Sequence, residues 1–272
     1  MTHSAKNRSA FTLVELLVVL AILVVLAAIA IPKVIDTFDR SRAAAQAYST
    51  SDISRHIENF YALNSKYPDG WDSLTDSSGG LYSKLATEIK SPNSFLTTAA
   101  LSSDQIASLS GAGIGHIFLH DAVSAASDSG TDRRHFGSGS GHDGTANVTT
   151  VAVIDTSANS DGMHLLVDSF GLNPNRNPAY TVSTADTPRI AANTYVVFGV
   201  GPRSTVVQSQ VQEAPIFALN GNSTNYARAL VVFEVPNSGT NRAKFVGAFG
   251  PDGRSKKVAL SHFNNPNGVP TH

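Results

Sequence analysis

One stretch limits what this chain can become before any other feature does. From Phe11 to Ile31 the sequence reads FTLVELLVVLAILVVLAAIAI, an apolar run broken only by Thr12 and Glu15. As a helix rising ~1.5 Å per residue, it reaches across the ~30 Å hydrocarbon core of a bilayer. The ten residues before it carry Lys6 and Arg8 and no acid. That charge bias keeps them cytoplasmic and starts residues 32–272 outside. A cleavable secretory signal, cut after Ala28-Ile29-Ala30, is the plainer alternative. Such a signal is shorter and has no use for Glu15. A charge costs about 2.5–3.5 kcal/mol at the centre of an inserted helix, less near an end. An ionisable residue inside a membrane segment therefore points to function.

Spacing gives Glu15 a role. If the chain is cut between Ala10 and Phe11, the new α-amine lies four residues before Glu15, one helical turn away on the same face. In a stack of parallel helices, the amine of one copy can meet Glu15 of the next. Such a pair neutralises both charges and fixes the axial stagger.

The run Ser9-Ala10-Phe11-Thr12-Leu13-Val14-Glu15-Leu16-Leu17, followed by an apolar segment, resembles the prepilin-type signal of type IV pilins and type II secretion pseudopilins. The resemblance covers Ser9 to about Pro32. It implies removal of residues 1–10 by a prepilin peptidase, with Ala10 the last leader residue. It also implies a mature, N-methylated Phe11, Glu15 as the assembly carboxylate and Pro32 as a helix kink. The family prefers Gly where this chain has Ala10. The implied partners are the chain itself in a helical filament, other pilins or pseudopilins, the peptidase, an inner-membrane assembly platform and the membrane. The implied location is the cytoplasmic membrane as a single-pass precursor, then a periplasmic pseudopilus or a surface pilus.

Beyond the anchor, Pro32 removes one helical hydrogen bond but need not end the helix. Val34, Ile35 and Phe38, then Ile53, Ile57, Phe60 and Tyr61, keep helical spacing around the helix-forming Ala43–Ala47. One helix is expected from about residue 11 to 64, amphipathic in its second half, with Pro68-Asp69-Gly70 closing it. This divides the chain into a leader (1–10), a transmembrane or filament-core helix (11–31), an amphipathic continuation (32–68) and an α+β head (69–272). In the head, Leu81–Lys90 and Ser103–Leu109 read as helices, the second stopped at Gly111. Ile114–His120, Val148–Asp155, Thr194–Val200, Ala229–Val235 and Lys244–Phe249 read as strands, the last two forming a hairpin. Ser124–Asn147, dense in Ser, Gly and Asp, reads as an inserted loop. The pattern implies a pilin-like fold, a long helix packed on an antiparallel sheet.

No catalytic constellation emerges, so a structural rather than enzymatic chain is expected. His116 and His120, four apart with Asp121 adjacent and His135 and His142 beyond, suggest zinc chemistry. On a strand, however, two residues four apart stand more than ~13 Å from each other, too far for one ion. Asp69, Asp72 and Asp76, or Asp128 and Asp132, are oxygen ligands of the kind calcium takes, without regular spacing. Solvated turn residues are the plainer reading of both sets, so no cofactor is expected, with calcium in a head loop as the exception. Gly111-Ala112-Gly113-Ile114-Gly115 follows a helix and opens a strand, the reverse of a dinucleotide fingerprint. Gly137-Ser138-Gly139-Ser140-Gly141 has glycine where a nucleophile elbow needs serine. Asn147-Val148-Thr149 and Asn222-Ser223-Thr224 are glycosylation sequons.

Charge adds little for partners. Arg254, Lys256 and Lys257 cluster, but the chain as a whole has 20 basic and 21 acidic residues, so nucleic acid is not indicated. Removing Lys6 and Arg8 leaves 18 basic residues against 21 acidic, a net charge of −3 for the mature chain. The absence of Cys excludes the C-terminal disulfide that closes many type IV pilins, which shifts weight towards pseudopilins or divergent pilins. Two rival classes follow from the same residues: a membrane-anchored binding protein or enzyme that keeps residues 1–10, and a signal-peptide-secreted protein.

Overall fold

The computed structural model of the chain describes residues 13–86, 89, 95–119, 132–136, 147–157, 160–172, 188–207, 209–217 and 226–264. Helix α1 runs unbroken from Leu13 to Asn64 with Pro32 inside it. It stops where Ser65 adopts a left-handed conformation (φ 55°) and donates its N–H to the Tyr61 carbonyl at 2.8 Å. This is the usual way to turn a chain off a helix end.

After α1 come β1 (Trp71–Asp72), β2 (Leu96–Ala100), α2 (Ser103–Gly111), β3 (His116–Leu119), β4 (Asp132–Phe136), β5 (Asn147–Val148) and β6 (Thr150–Ile154). Then follow α3 (Asp161–His164), which runs into a wider π-turn over Leu165–Ser169, α4 (Pro188–Ala191), β7 (Asn193–Gly199), β8 (Leu230–Pro236), β9 (Lys244–Phe249) and α5 (Lys256–Asn264). The result is the expected α+β, pilin-like architecture: a long N-terminal apolar helix and a globular head with a curled sheet.

Strand β7 is the trunk of that sheet. One edge pairs along its full length with β8, which pairs in turn with β9. Its other edge is shared: Val196 meets Val153 of β6, and Gly199 meets Asp72 of β1. From these points β2 extends beyond β6, and β3, β4 and β5 extend beyond β1. The sheet is mixed rather than wholly antiparallel, because β1 with β3 and β4 with β5 run parallel.

Both sheet faces are covered. Val196 and Phe198 of β7, with Val231, Phe233 and Val235 of β8, pack towards Ile53 and Ile57 of α1. Tyr195 and Val197, with Leu230 and Val232, pack on the other side against Leu74, Phe95, Met163 and Leu166. Two buried faces explain why β7 and β8 read as continuous apolar runs instead of alternating ones.

Several expectations change. Residues 81–86 make a turn rather than the start of a helix over Leu81–Lys90, because the Tyr82 N–H donates to the Leu74 carbonyl at 2.8 Å and pulls Tyr82 and Leu85 into the second core. Within Ser124–Asn147, β4 pairs with β3 in register His116 to His135, so that segment is not a plain loop. Helix α2 starts at a Ser102–Gln105 capping box, and Gly111 is its last residue. Gly113, with φ 101°, makes the turn away from it.

Candidate assembly site

Helix α1 has two environments along one rod. From Ala43 onward it shows the head a stripe of Ala43, Ala47, Thr50, Ile53 and Ile57, all buried. The spacing of four, three, three and four places them on one face. Small residues begin the stripe because another helix lies there. Helix α5 packs along α1, with Ala259 fully buried. The Gln46 side-chain amide donates to Asp252 Oδ1 at 2.5 Å, and Lys256 Nζ donates to Ser51 Oγ at 3.1 Å. The sequence reading missed this clasp. Ala43 and Ala47, four apart, were its available signal.

Among the described residues, nothing covers the rod below Ala43. The large apolar side chains between Leu13 and Ile31 are 48–79% exposed, and Val34, Ile35 and Phe38 are similarly bare. This segment is long and apolar enough to cross a membrane. Glu15 lies in its first described turn and is exposed. Pro32 interrupts the helical ladder without ending the helix. One turn on, the Thr37 hydroxyl bonds back to the Lys33 carbonyl at 2.8 Å. Lys33, Asp36, Asp39, Arg40 and Arg42 make a charged collar between the apolar rod and the head. Ala10 and Phe11 lie outside the described residues.

A bare apolar rod that bears one carboxylate and continues as one helix into a folded head has the outline of an assembly helix. Residues 5–31 match the family model described as the prokaryotic N-terminal methylation motif. It is the prepilin-type signature of type IV pilins and pseudopilins. The match takes in the whole apolar run from Phe11 to Ile31 and stops just before Pro32. No curated protein and no solved structure matches the chain.

The other singled-out residues fall into separate places. Asp69 is a joint between α1 and the head. Its carboxylate accepts from the Gly115 and His116 N–H groups at 2.9 and 2.8 Å and contacts His116 Nδ1 at 2.5 Å. Its own N–H donates to Thr205 Oγ1 at 2.8 Å. Asp72 is buried and accepts from the Tyr226 hydroxyl at 2.9 Å. Burial, then the neighbouring Asp72 charge, pushes the Tyr226 phenol well above its usual range. Asp76 folds its own turn, accepting from Ser78 Oγ, Ser78 N and Gly80 N. The three aspartates thus serve three local structures.

His116 meets His135 across the β3–β4 ladder, with ring centroids 4.0 Å apart. His120, Asp121, Asp128, His142 and the Asp132 side chain lie outside the described residues. Among the described residues, no group of three or more His, Asp or Glu is placed to hold a metal ion. Glu234 is buried and is held by the half-exposed Arg189 through two bonds of 2.8 and 2.5 Å and by Asn193 at 2.9 Å. It anchors α4 to the sheet.

Proposed function

We propose that the chain is a structural subunit of a type IV pilus-like or type II secretion pseudopilus filament. One observation carries the reading: from Leu13 the segment that bears the methylation motif is an exposed apolar rod, while the same helix is embedded in the head from Ala43 onward. Exposed apolar surface on this scale needs a lipid or protein environment. The membrane provides the first, and parallel copies of the same helix provide the second.

In this scheme a prepilin peptidase cuts between Ala10 and Phe11, and Phe11 becomes the methylated N-terminus. Glu15 meets the Phe11 amine of a neighbouring copy and sets the stagger. Pro32 lets the rod bend below the rigid head. The assembly platform and other pilins or pseudopilins are its partners, first at the cytoplasmic membrane and then in a periplasmic or surface filament. The test is a strain lacking prepilin peptidase. There the protein should accumulate in the membrane with residues 1–10 attached and form no filaments. Normal processing in that strain would refute the reading.

A further inference from the structure

Along the bare rod, Glu15, Val18, Ile22, Val25 and Ile29 follow one another at steps of three, four, three and four residues. Lys33, Asp36 and Arg40 continue the series at steps of four, three and four. Such steps keep side chains on one face of a helix, and alternating threes and fours mark the seam along which parallel helices pack. The four apolar members are 49–62% exposed. Helix α1 runs through Pro32 without a break, so the count of turns holds along the whole stripe.

Each end of the stripe bears two opposite charges at the same interval. At the foot, cleavage between Ala10 and Phe11 would put an ammonium four residues before Glu15. At the top, Asp36 lies four residues before Arg40. The step from Glu15 to Arg40 is about 6.9 turns at 3.6 residues per turn and about 7.1 turns at the 3.5 of a supercoiled seam, roughly 38 Å along the axis. The upper pair thus repeats the lower one on the same face, with the signs exchanged. Among the described residues, neither Asp36 nor Arg40 makes a hydrogen bond or ion pair, whereas Asp39 and Arg42 beside them meet at 3.8 Å.

We infer that Asp36 of one copy pairs with Arg40 of a second copy, closing the top of a helix–helix seam whose foot is the amine–Glu15 contact. The inference rests on the filament reading. If the amine of one copy meets Glu15 of the next, each residue of the first lies level with the residue four further on in the second. Asp36 then faces Arg40, and Lys33 comes level with Thr37, one residue above the second copy's Asp36. Val18, Ile22, Val25 and Ile29 fill the seam between the charged ends. Copies packed level would instead set Lys33, Asp36 and Arg40 each against itself, like charge on like. Charge complementarity of this kind fixes register and rejects wrong alignments. Asp36 and Arg40 sit about 40° apart around the helix, so each faces a different neighbour and the contact passes on from copy to copy.

The chain has no cysteine, so single cysteines report contacts between copies without background. Full-length Asp36→Cys and a differently tagged Arg40→Cys chain are produced together, and sheared filaments are treated with a short bismaleimide. Mixed-tag dimers joined 36 to 40 should outnumber same-tag dimers at least tenfold. In a second arm, Arg40→Asp alone should reduce the sheared filament fraction about tenfold at unchanged membrane content, because it sets two carboxylates against each other. Adding Asp36→Arg to it should bring filaments back to within about threefold of the parent. Same-tag dimers as abundant as mixed ones overturn the pairing, as does a double variant no better than Arg40→Asp. Loss of Arg40→Asp from the membrane fraction also overturns it and assigns these charges to lipid headgroups. Each of these results leaves the filament reading in place, since parent filaments are present beside them. Parent cells that form no filament would remove that reading and the pairing with it.

Discussion

Glu15→Ala separates insertion from assembly. Glu15 lies sixteen residues before Ile31, about 24 Å along a helix rising 1.5 Å per residue, and so near the cytoplasmic end of a ~30 Å hydrocarbon core. Its cost in the membrane is therefore below the ~2.5–3.5 kcal/mol of a central charge. Removing it should leave insertion unchanged or improve it by up to about 2 kcal/mol. In the proposed filament the same carboxylate would meet the Phe11 amine of a neighbour. Removing one member of a buried pair strands the other charge, at a cost of about 3–5 kcal/mol. At ~1.4 kcal/mol per tenfold, each subunit contact should weaken by roughly two orders of magnitude or more. The assay is a strain carrying only the variant, with membrane fraction and sheared filament fraction measured side by side. Full membrane content with filaments reduced a hundredfold is expected. Filaments at the parent level would refute the pairing, and loss from the membrane would show that Glu15 acts before assembly.

Three further outcomes follow from the head. Ile57, with no exposed surface, packs in the first core beside Ile53. Ile57→Ala should cost about 2–5 kcal/mol, read as a lowered thermal midpoint by circular dichroism. Asp69→Ala leaves the Gly115 and His116 N–H groups without their acceptor, at about 1–3 kcal/mol, and should lower the midpoint by roughly 2–10 °C. The Ser78 hydroxyl, with the Gly80 and Ser78 N–H groups, holds the Asp76 carboxyl below its ordinary range. A lowered carboxyl pKa supports the turn above the unfolded value of about 3.9, and that support is lost as pH falls through the lower folded value. Protection of the Ser78 and Gly80 amides, taken relative to the intrinsic exchange rate at each pH, should therefore hold at pH 5 and fall only well below pH 4.

The most legible element was α1, because its pattern is long and repeats. Ile53 and Ile57, spaced by four, were read as a head-facing stripe and are buried there. Strands β7, β8 and β9 were legible for a similar reason, since runs such as YVVFGV and LVVFEV exceed what a loop can hold. The strand β4, DRRHF, was hidden because its alternation is charged instead of apolar, and only its pairing to β3 makes it a strand. Strand β1 is two residues long and exists through its neighbours β3 and β7, which no local pattern encodes. The missed turn at residues 81–86 has the opposite cause. Tyr82 and Leu85 keep helical spacing with Ile89, but they are buried in the second core by a chain that bends, and only Ile89 is helical. At the assembly helix, sequence placed Glu15 and Pro32 on one rod. The bareness of that rod below Ala43 became visible only once the head had a boundary.

The account depends most on where the mature chain begins. Intact-mass and N-terminal peptide analysis of protein isolated from its membrane should find residue 11 first, heavier by one methyl group. A chain that begins at Ile31 would mean secretion by an ordinary signal, and one that keeps residues 1–10 would mean a permanent anchor. Either result would contradict the assembly reading.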